Sequence, residues 1–390
     1  MLKINLNVKY AFLALAMVGF VSCSDDEVQV TPTPVETPLR TKIDYATLTP
    51  TTPYAATFVD ADKKSTVDFS NGNNRYKMFQ ALNTYINSAI TANKEIDAAV
   101  LKEMFNNTGN RFADSTKLNT SGVQLRDKVA SSWPEANATA AQARFDTLFT
   151  NIAAASKSLT EVAAKGKAGK LGTRLVDAKG IELIQIIQKS LIGALQYDYI
   201  ANVLLTKGLE ADNKKVVSGK LYTQLEQNWD EAYGLLTLSP IYLAGSTDDK
   251  RATTEFALGS YVWEYNKEAY AKIYPAFLKG RAAIVNGDKA ELKVQADYIK
   301  TQFEKAIAKA ANGYMGKSVE AGKSEADRAH ALGEGLGFVY SLRFATVNGA
   351  DAKFSDGLLN ELVGSANGYW DLTPAKTTSV TDKITAKFKL

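Results

Sequence analysis

Proline is almost absent from most of this chain, and that absence is the strongest constraint on its fold. Nine prolines occur in 390 residues, and five of them, Pro32, Pro34, Pro38, Pro50 and Pro53, crowd into one stretch near the N-terminus. Beyond it only Pro134, Pro240, Pro275 and Pro374 interrupt the backbone. Proline removes a helical donor and clashes with the preceding turn, so a chain this poor in it can hold long helices. The apolar residues use that freedom. Phe79, Leu82, Ile86 and Ile90 recur at helical spacing, as do Phe145, Leu148, Phe149 and Ile152. Leu221, Leu225, Trp229, Tyr233 and Leu236 mark a further helix.

Ile181 to Leu205 is apolar on almost every face and contains no proline. Such a helix is surrounded by others, at the centre of a bundle. Asp288 with Glu291, and Ser324 with Asp327, read as capping boxes opening helices that run through Ile307 and to about Phe344. Lys165 to Gly172 and Glu210 to Ser218 read as loops, and Asn367-Gly368 before Tyr369-Trp370 as a turn able to make a short hairpin. Other strand signals and short solenoid repeats are not evident. The expected fold is all-α: a multi-helix bundle over 69–390, or two coupled bundles over 69–209 and 210–390.

The N-terminus reads as an address. Lys3 and Lys9 flank a polar start, and Tyr10 to Val21 form an apolar run too short to span a bilayer but suited to a signal-peptide core. The run ends at Ser22-Cys23, and Cys23 is the only cysteine. This pattern resembles a lipoprotein signal over 1–22, with acylation at Cys23 giving a stable lipid anchor. Ser24-Asp25-Asp26-Glu27 looks like the acidic tag of lipoproteins carried to the outer face of the outer membrane. The Thr- and Pro-rich composition from there to Asp68 favours extended chain, so 23–68 is expected to be a flexible, disordered tether.

Composition narrows the chemistry. Formal charge is +4, from 46 basic and 42 acidic residues without a long basic block, so nucleic-acid binding has no electrostatic footprint. One Cys and one His exclude disulfide frameworks and His/Cys zinc clusters within a single chain. A serine elbow, a P-loop and a two-histidine zincin motif are all missing.

What remains is a set of polar residues inside apolar helices. Asp327, His330 and Glu334 stand at i, i+3 and i+7, along one helical stripe. Gly333, Gly335 and Gly337 surround them, each unfavourable in a helix interior by about 1 kcal/mol, which implies close approach by another helix or a ligand. Glu182 and Lys189 interrupt the central helix, Asp230 and Glu231 lie between Trp229 and Tyr233, and Lys279 and Arg281 offer cations. Buried charges persist when paired or metal-bound, so these residues constitute either a structural ion network or a carboxylate-rich metal site. His330, Glu334, Glu182, Asp230 and Glu231 are expected to converge, with Lys189 or Arg281 offsetting the acids.

Those same segments carry a resemblance. Gly180-Ile181-Glu182 with Gln185, Lys189 to Ala194, Asn228 to Gly234, Phe277 to Ile284, His330 to Glu334 and Phe338 to Phe344 resemble the lipoprotein family called domain of unknown function 4856, in order from about Asp44 to the C-terminus. The resemblance implies an outer-membrane lipoprotein with a helical body and no established activity. More remotely the chain resembles the imelysin proteins, helical two-bundle lipoproteins linked to iron uptake and once labelled peptidases. Their Gly-x-His-x-x-Glu signature is altered here, with Arg328 in place of glycine and the acid one residue late at Glu334. That likeness implies a divalent or iron ion as the candidate cofactor, and an outer-membrane transporter or uptake protein as the partner. The functional expectation is a surface-exposed binding or accessory protein for iron or nutrient uptake, with enzymatic activity left open. The alternatives are a structural surface lipoprotein and a metal-dependent hydrolase centred on His330.

Overall fold

The computed structural model describes residues 39–236 and 256–390. The signal segment, Cys23, the acidic tag and Pro240 lie outside the described residues. The expected all-α class holds, and the described helices follow the apolar spacing. They are α1 (Tyr54–Thr57), α2 (Ser70–Thr91), α3 (Ala98–Asn106), α4 (Glu135–Ser156), α5 (Leu183–Leu191) and α6 (Gln224–Leu236). After 256 come α7 (Leu258–Tyr265), α8 (Lys267–Asn286), α9 (Lys289–Lys317), α10 (Glu325–Ser341), α11 (Ala352–Val363) and α12 (Pro374–Phe388).

Two of the four later prolines stand where a helix starts. Pro134 precedes α4, and Pro374 is the first residue of α12, where the missing N–H costs nothing. Pro275 alone sits inside a described helix, α8. Both N-caps form, though the reciprocal bond of a capping box does not: Asp288 accepts from the Glu291 amide, and Ser324 from the Asp327 amide. No described helix is long and apolar enough to cross a membrane.

The central helix is more unusual than its sequence indicates. After Leu191 it continues through Ile192–Leu204 with wider, π-helical turns, ending where the Leu205 amide donates to the Ile200 carbonyl. All but Val203 of those thirteen residues are buried. Its polar side chains fasten neighbouring segments: Tyr197 donates to Glu304 at 2.8 Å, and Asn202 to the Phe344 carbonyl at 2.9 Å. Gln196 donates to the Leu235 carbonyl and accepts from the Leu258 amide. Helices α9 and α10 pack on each other, α10 also lies along α5, and α2 packs on α6.

Three expectations need correction. The tether was expected to reach Asp68, yet 39–68 belongs to the same compact unit as the rest of 39–390. Tyr54 and Phe58 are buried, and Arg40 pairs with Glu226 at 2.9 Å. Composition counted the Thr and Pro residues here and gave too little weight to two aromatics able to join a core. The expected halves at 209/210 do not separate either, because α2 packs on α6 and α5 on α10 across that boundary. Finally, the hairpin forms in the Lys165–Gly172 region rather than at Asn367. Strands β1 (Gly169–Leu171) and β2 (Arg174–Val176) pair antiparallel, with Gly169 opposite Val176. Gly172 turns them with φ +56°, whereas Gly368–Asp371 makes a single 3₁₀ turn.

Candidate functional site: two polar cores and one cleft

The apolar run around Glu182 and the glycine-rich face of α10 are made for each other. A side chain on Gly333 would press on the Glu182 carbonyl and the Gln185 side chain, and one on Gly337 would overlap Lys189. The two helices therefore approach closely enough for their polar residues to meet. Glu182 is buried at the start of α5, and its Oε2 accepts from His330 Nδ1 at 2.7 Å. Its Oε1 accepts from Gln185 at 3.3 Å and lies 3.8 Å from Arg174 of β2. A carboxylate accepting from Nδ1 leaves Nε2 as the open side of the ring. That nitrogen lies 3.6 Å from Glu334 Oε2.

Glu334 in turn accepts at Oε1 from Lys189 Nζ, 2.9 Å away, and from the Tyr261 hydroxyl at 3.1 Å. The Lys189 ammonium also donates to Gln185 Oε1 at 2.9 Å and lies 5.2 Å from the centre of the Tyr261 ring. Burial works to raise the Glu334 carboxyl, but the Lys189 ammonium, His330 and the Tyr261 hydroxyl together hold it below its usual value. Burial draws Lys189 below the usual lysine value, partly offset by Glu334 and Glu182. The result is a chain of polar contacts, Arg174–Glu182–His330–Glu334–Lys189, with hydrogen bonds at its Glu182–His330 and Glu334–Lys189 links.

Sequence reasoning placed Asp230 and Glu231 in this same cluster, and the structure separates them. Successive helical residues point about 100° apart, so the two acids face different neighbours. Asp230 accepts from Arg281 Nε at 3.0 Å and from the Tyr54 hydroxyl at 2.8 Å. Arg281 is 0% exposed and also reaches Glu226 at 2.9 Å and Thr66 at 3.0 Å. Glu231 faces the other way, to Arg75 at 2.6 Å and the Tyr199 hydroxyl at 3.2 Å. The expected Arg281 thus offsets Asp230, and Lys189 offsets Glu334. Lys279 instead meets Glu291 near the surface at 2.9 Å. Asp327 serves the start of α10, accepting from the Ser324 hydroxyl at 2.7 Å.

Arg40, Tyr54, Arg75, Glu226 and Tyr261 were not anticipated as members of these networks. The one signal for Arg75 is a charge four residues before Phe79 on an apolar stripe. The others are set by contacts remote in sequence.

His330 is partly open to solvent, with 23% of its side chain exposed. It and Glu334 form the floor of a cleft of about 400 Å³, walled by Tyr314, Lys317, Lys323 and Asp327. A metal does not suit this floor, because a Lys189 ammonium already occupies one Glu334 oxygen and His330 occupies one from Glu182. Among the described residues no group of three or more His, Cys, Asp and Glu side chains is arranged to hold a metal ion. The divalent or iron ion suggested by the stripe is not supported by this geometry.

The family described as Domain of unknown function (DUF4856) matches residues 54–390. The chain belongs to this family. No curated protein and no solved structure matches it. The DUF4856 match opens at Tyr54, the residue whose hydroxyl meets Asp230, so the family's stretch includes a closing contact of the buried arginine core. The segments that carried the resemblance are the ones that interlock. His330 to Glu334 meets Gly180 to Lys189, and Asn228 to Gly234 meets Phe277 to Ile284.

Proposed function

We propose that this DUF4856 chain is a lipid-anchored lipoprotein of the outer membrane, displayed at the cell surface, where it acts as a binding or accessory protein in iron or other nutrient uptake beside a transporter. The observation that carries the reading is Cys23, the only cysteine, placed at the end of a short apolar run and followed by an acidic tag. The helical body supports a binding role through the His330 cleft, which combines an imidazole edge with lysines and acids. A metal-dependent hydrolase is disfavoured, since Lys189 engages Glu334 and no group of three or more His, Cys, Asp and Glu side chains among the described residues is arranged to hold the metal. The pairing of acids with bases in both ion networks favours a second reading, a structural surface component without ligand. Iron held in a complex suits this reading better than the bare ion, because no group of three or more His, Cys, Asp and Glu side chains among the described residues is arranged to hold a metal.

Cys23→Ala is expected to leave the protein unlipidated and to release it from membrane fractions, read by fractionation and fatty-acid labelling. Equal membrane retention of the variant would refute the anchor. Crosslinking on intact cells separates the two roles: recovery of an outer-membrane transporter supports the accessory role, and its absence favours the structural one.

A further inference from the structure

A second depression lies on the other side of the turn that leads into α10. It has a volume of about 320 Å³, and its lining includes the rings of Tyr369 and Trp370 together with Glu325 and Arg328. The aromatic wall is fixed. The Trp370 indole N–H donates to the Ala178 carbonyl at 3.2 Å, the Tyr369 amide to the Lys179 carbonyl at 2.9 Å, and the Tyr369 hydroxyl to the Glu325 carbonyl at 3.3 Å. The two ring centres are 5.3 Å apart at 64°. With its polar edge already engaged, the indole has only its ring surface to offer a ligand.

The rest of the lining carries charge. Glu325 and Arg328 stand three residues apart on the first turn of α10, so both project to one side. Neither makes an ion pair within 4 Å among the described residues, and Arg328 lies against the Tyr369 hydroxyl. The charges disfavour a ligand of a single sign. An anion would be drawn to Arg328 but repelled by Glu325, and a cation the reverse. A neutral polyol satisfies both, donating from one hydroxyl to the carboxylate while a neighbouring hydroxyl accepts from the guanidinium. A polyol that also presents an apolar face to an aromatic ring is a pyranose.

We infer that the depression between Trp370 and the Glu325–Arg328 pair is a carbohydrate site, taking a neutral hexose unit with its C–H face on the aromatic wall. The site is separate from the His330 cleft and does not depend on its function.

The test is saturation-transfer NMR and titration calorimetry on the whole chain. The probes are glucose, galactose, mannose and N-acetylglucosamine with their short oligomers, and glucose 6-phosphate as an anionic control. At least one neutral sugar is expected to bind at millimolar concentration or better. Trp370→Ala and Arg328→Gln should each weaken it about tenfold, the loss of one good contact. Arg328→Gln alters a half-exposed side chain, so it keeps the test valid should Trp370→Ala fail to fold. No transfer to any neutral sugar would overturn the proposal. So would preference for the sugar phosphate, or binding unchanged in a folded Trp370 or Arg328 variant.

Discussion

Asp230 shows how far burial can work against a salt bridge. Its Oδ1 takes both the Arg281 and the Tyr54 hydrogen bonds, while its Oδ2 is buried without a partner. Burial accordingly pushes the carboxyl up to about 6 from 3.8, against the pull of Arg281 and the Tyr54 hydroxyl. Between those two values the native state holds more protons than the unfolded chain. This group's contribution is therefore most favourable in acid and declines as pH rises through that window. The shift corresponds to about 3 kcal/mol. Glu226 and Glu334, held below 4.5, act in the opposite sense, and their contribution is lost as pH falls through their lower native values. Asp230→Asn removes the first effect. Its stability relative to wild type, from urea unfolding, should therefore improve by about 2–3 kcal/mol between about pH 4 and pH 7. A difference independent of pH would mean that Asp230 titrates normally.

Single helices were the most legible level of the sequence, because their signals are local. The Ser324 and Asp288 caps, the stripes of α2 and α4 and the all-round burial of 181–205 each depend on residues within a turn or two. The π-helical turns of Ile192–Leu204 were not legible, since apolar periodicity does not distinguish them from α-helix when every face is buried. The small residues of α10 were read correctly as marks of close approach. The same logic applies to Gly280 in α8, where a Cβ would overlap the Trp229 ring. That ring cannot retreat easily, because its N–H donates to the Phe277 carbonyl at 2.9 Å in a fully buried site. Gly280→Ala should lower stability by about 1–3 kcal/mol through overpacking. Gly357 in α11 meets nothing within 4 Å, so Gly357→Ala should raise stability by up to about 1 kcal/mol through helix propensity alone. Thermal melts of the two variants that moved in the same direction would contradict this assignment of close approach.

At the scale of the whole molecule, the boundary of the folded unit follows from partners that no local pattern pairs. The grouping of His330, Glu334, Glu182 and Lys189 was legible because two dense segments carry it. The arginine core was only half legible, since Arg40, Tyr54 and Thr66 reach it from a stretch whose composition resembles a spacer. Their contacts make a strong claim. Arg40 is bidentate to Glu226, Tyr54 stacks on Tyr233 at 4.7 Å, and the Arg281 guanidinium lies 5.0 Å from the Phe58 ring centre. A chain beginning at Ser70 would keep every helix from α2 onward yet strip Glu226, Asp230 and Arg281 of three partners. Leaving buried charges so exposed to imbalance costs about 3–5 kcal/mol. Lost burial of Tyr54 and Phe58 adds about 1.5–3 kcal/mol for each ring. Together these approach the whole stability of an ordinary domain, about 5–15 kcal/mol. A chain beginning at Leu39 should therefore unfold cooperatively at the temperature of the full-length protein, whereas one beginning at Ser70 should melt far lower or fail to show a cooperative transition. Tyr54→Phe isolates the polar part, because it keeps the ring and removes only the hydroxyl, at an expected cost of about 1–3 kcal/mol. If the Ser70 chain melted with the Leu39 chain, residues 39–68 would be an ornament on the bundle, and its core would have to be complete without them.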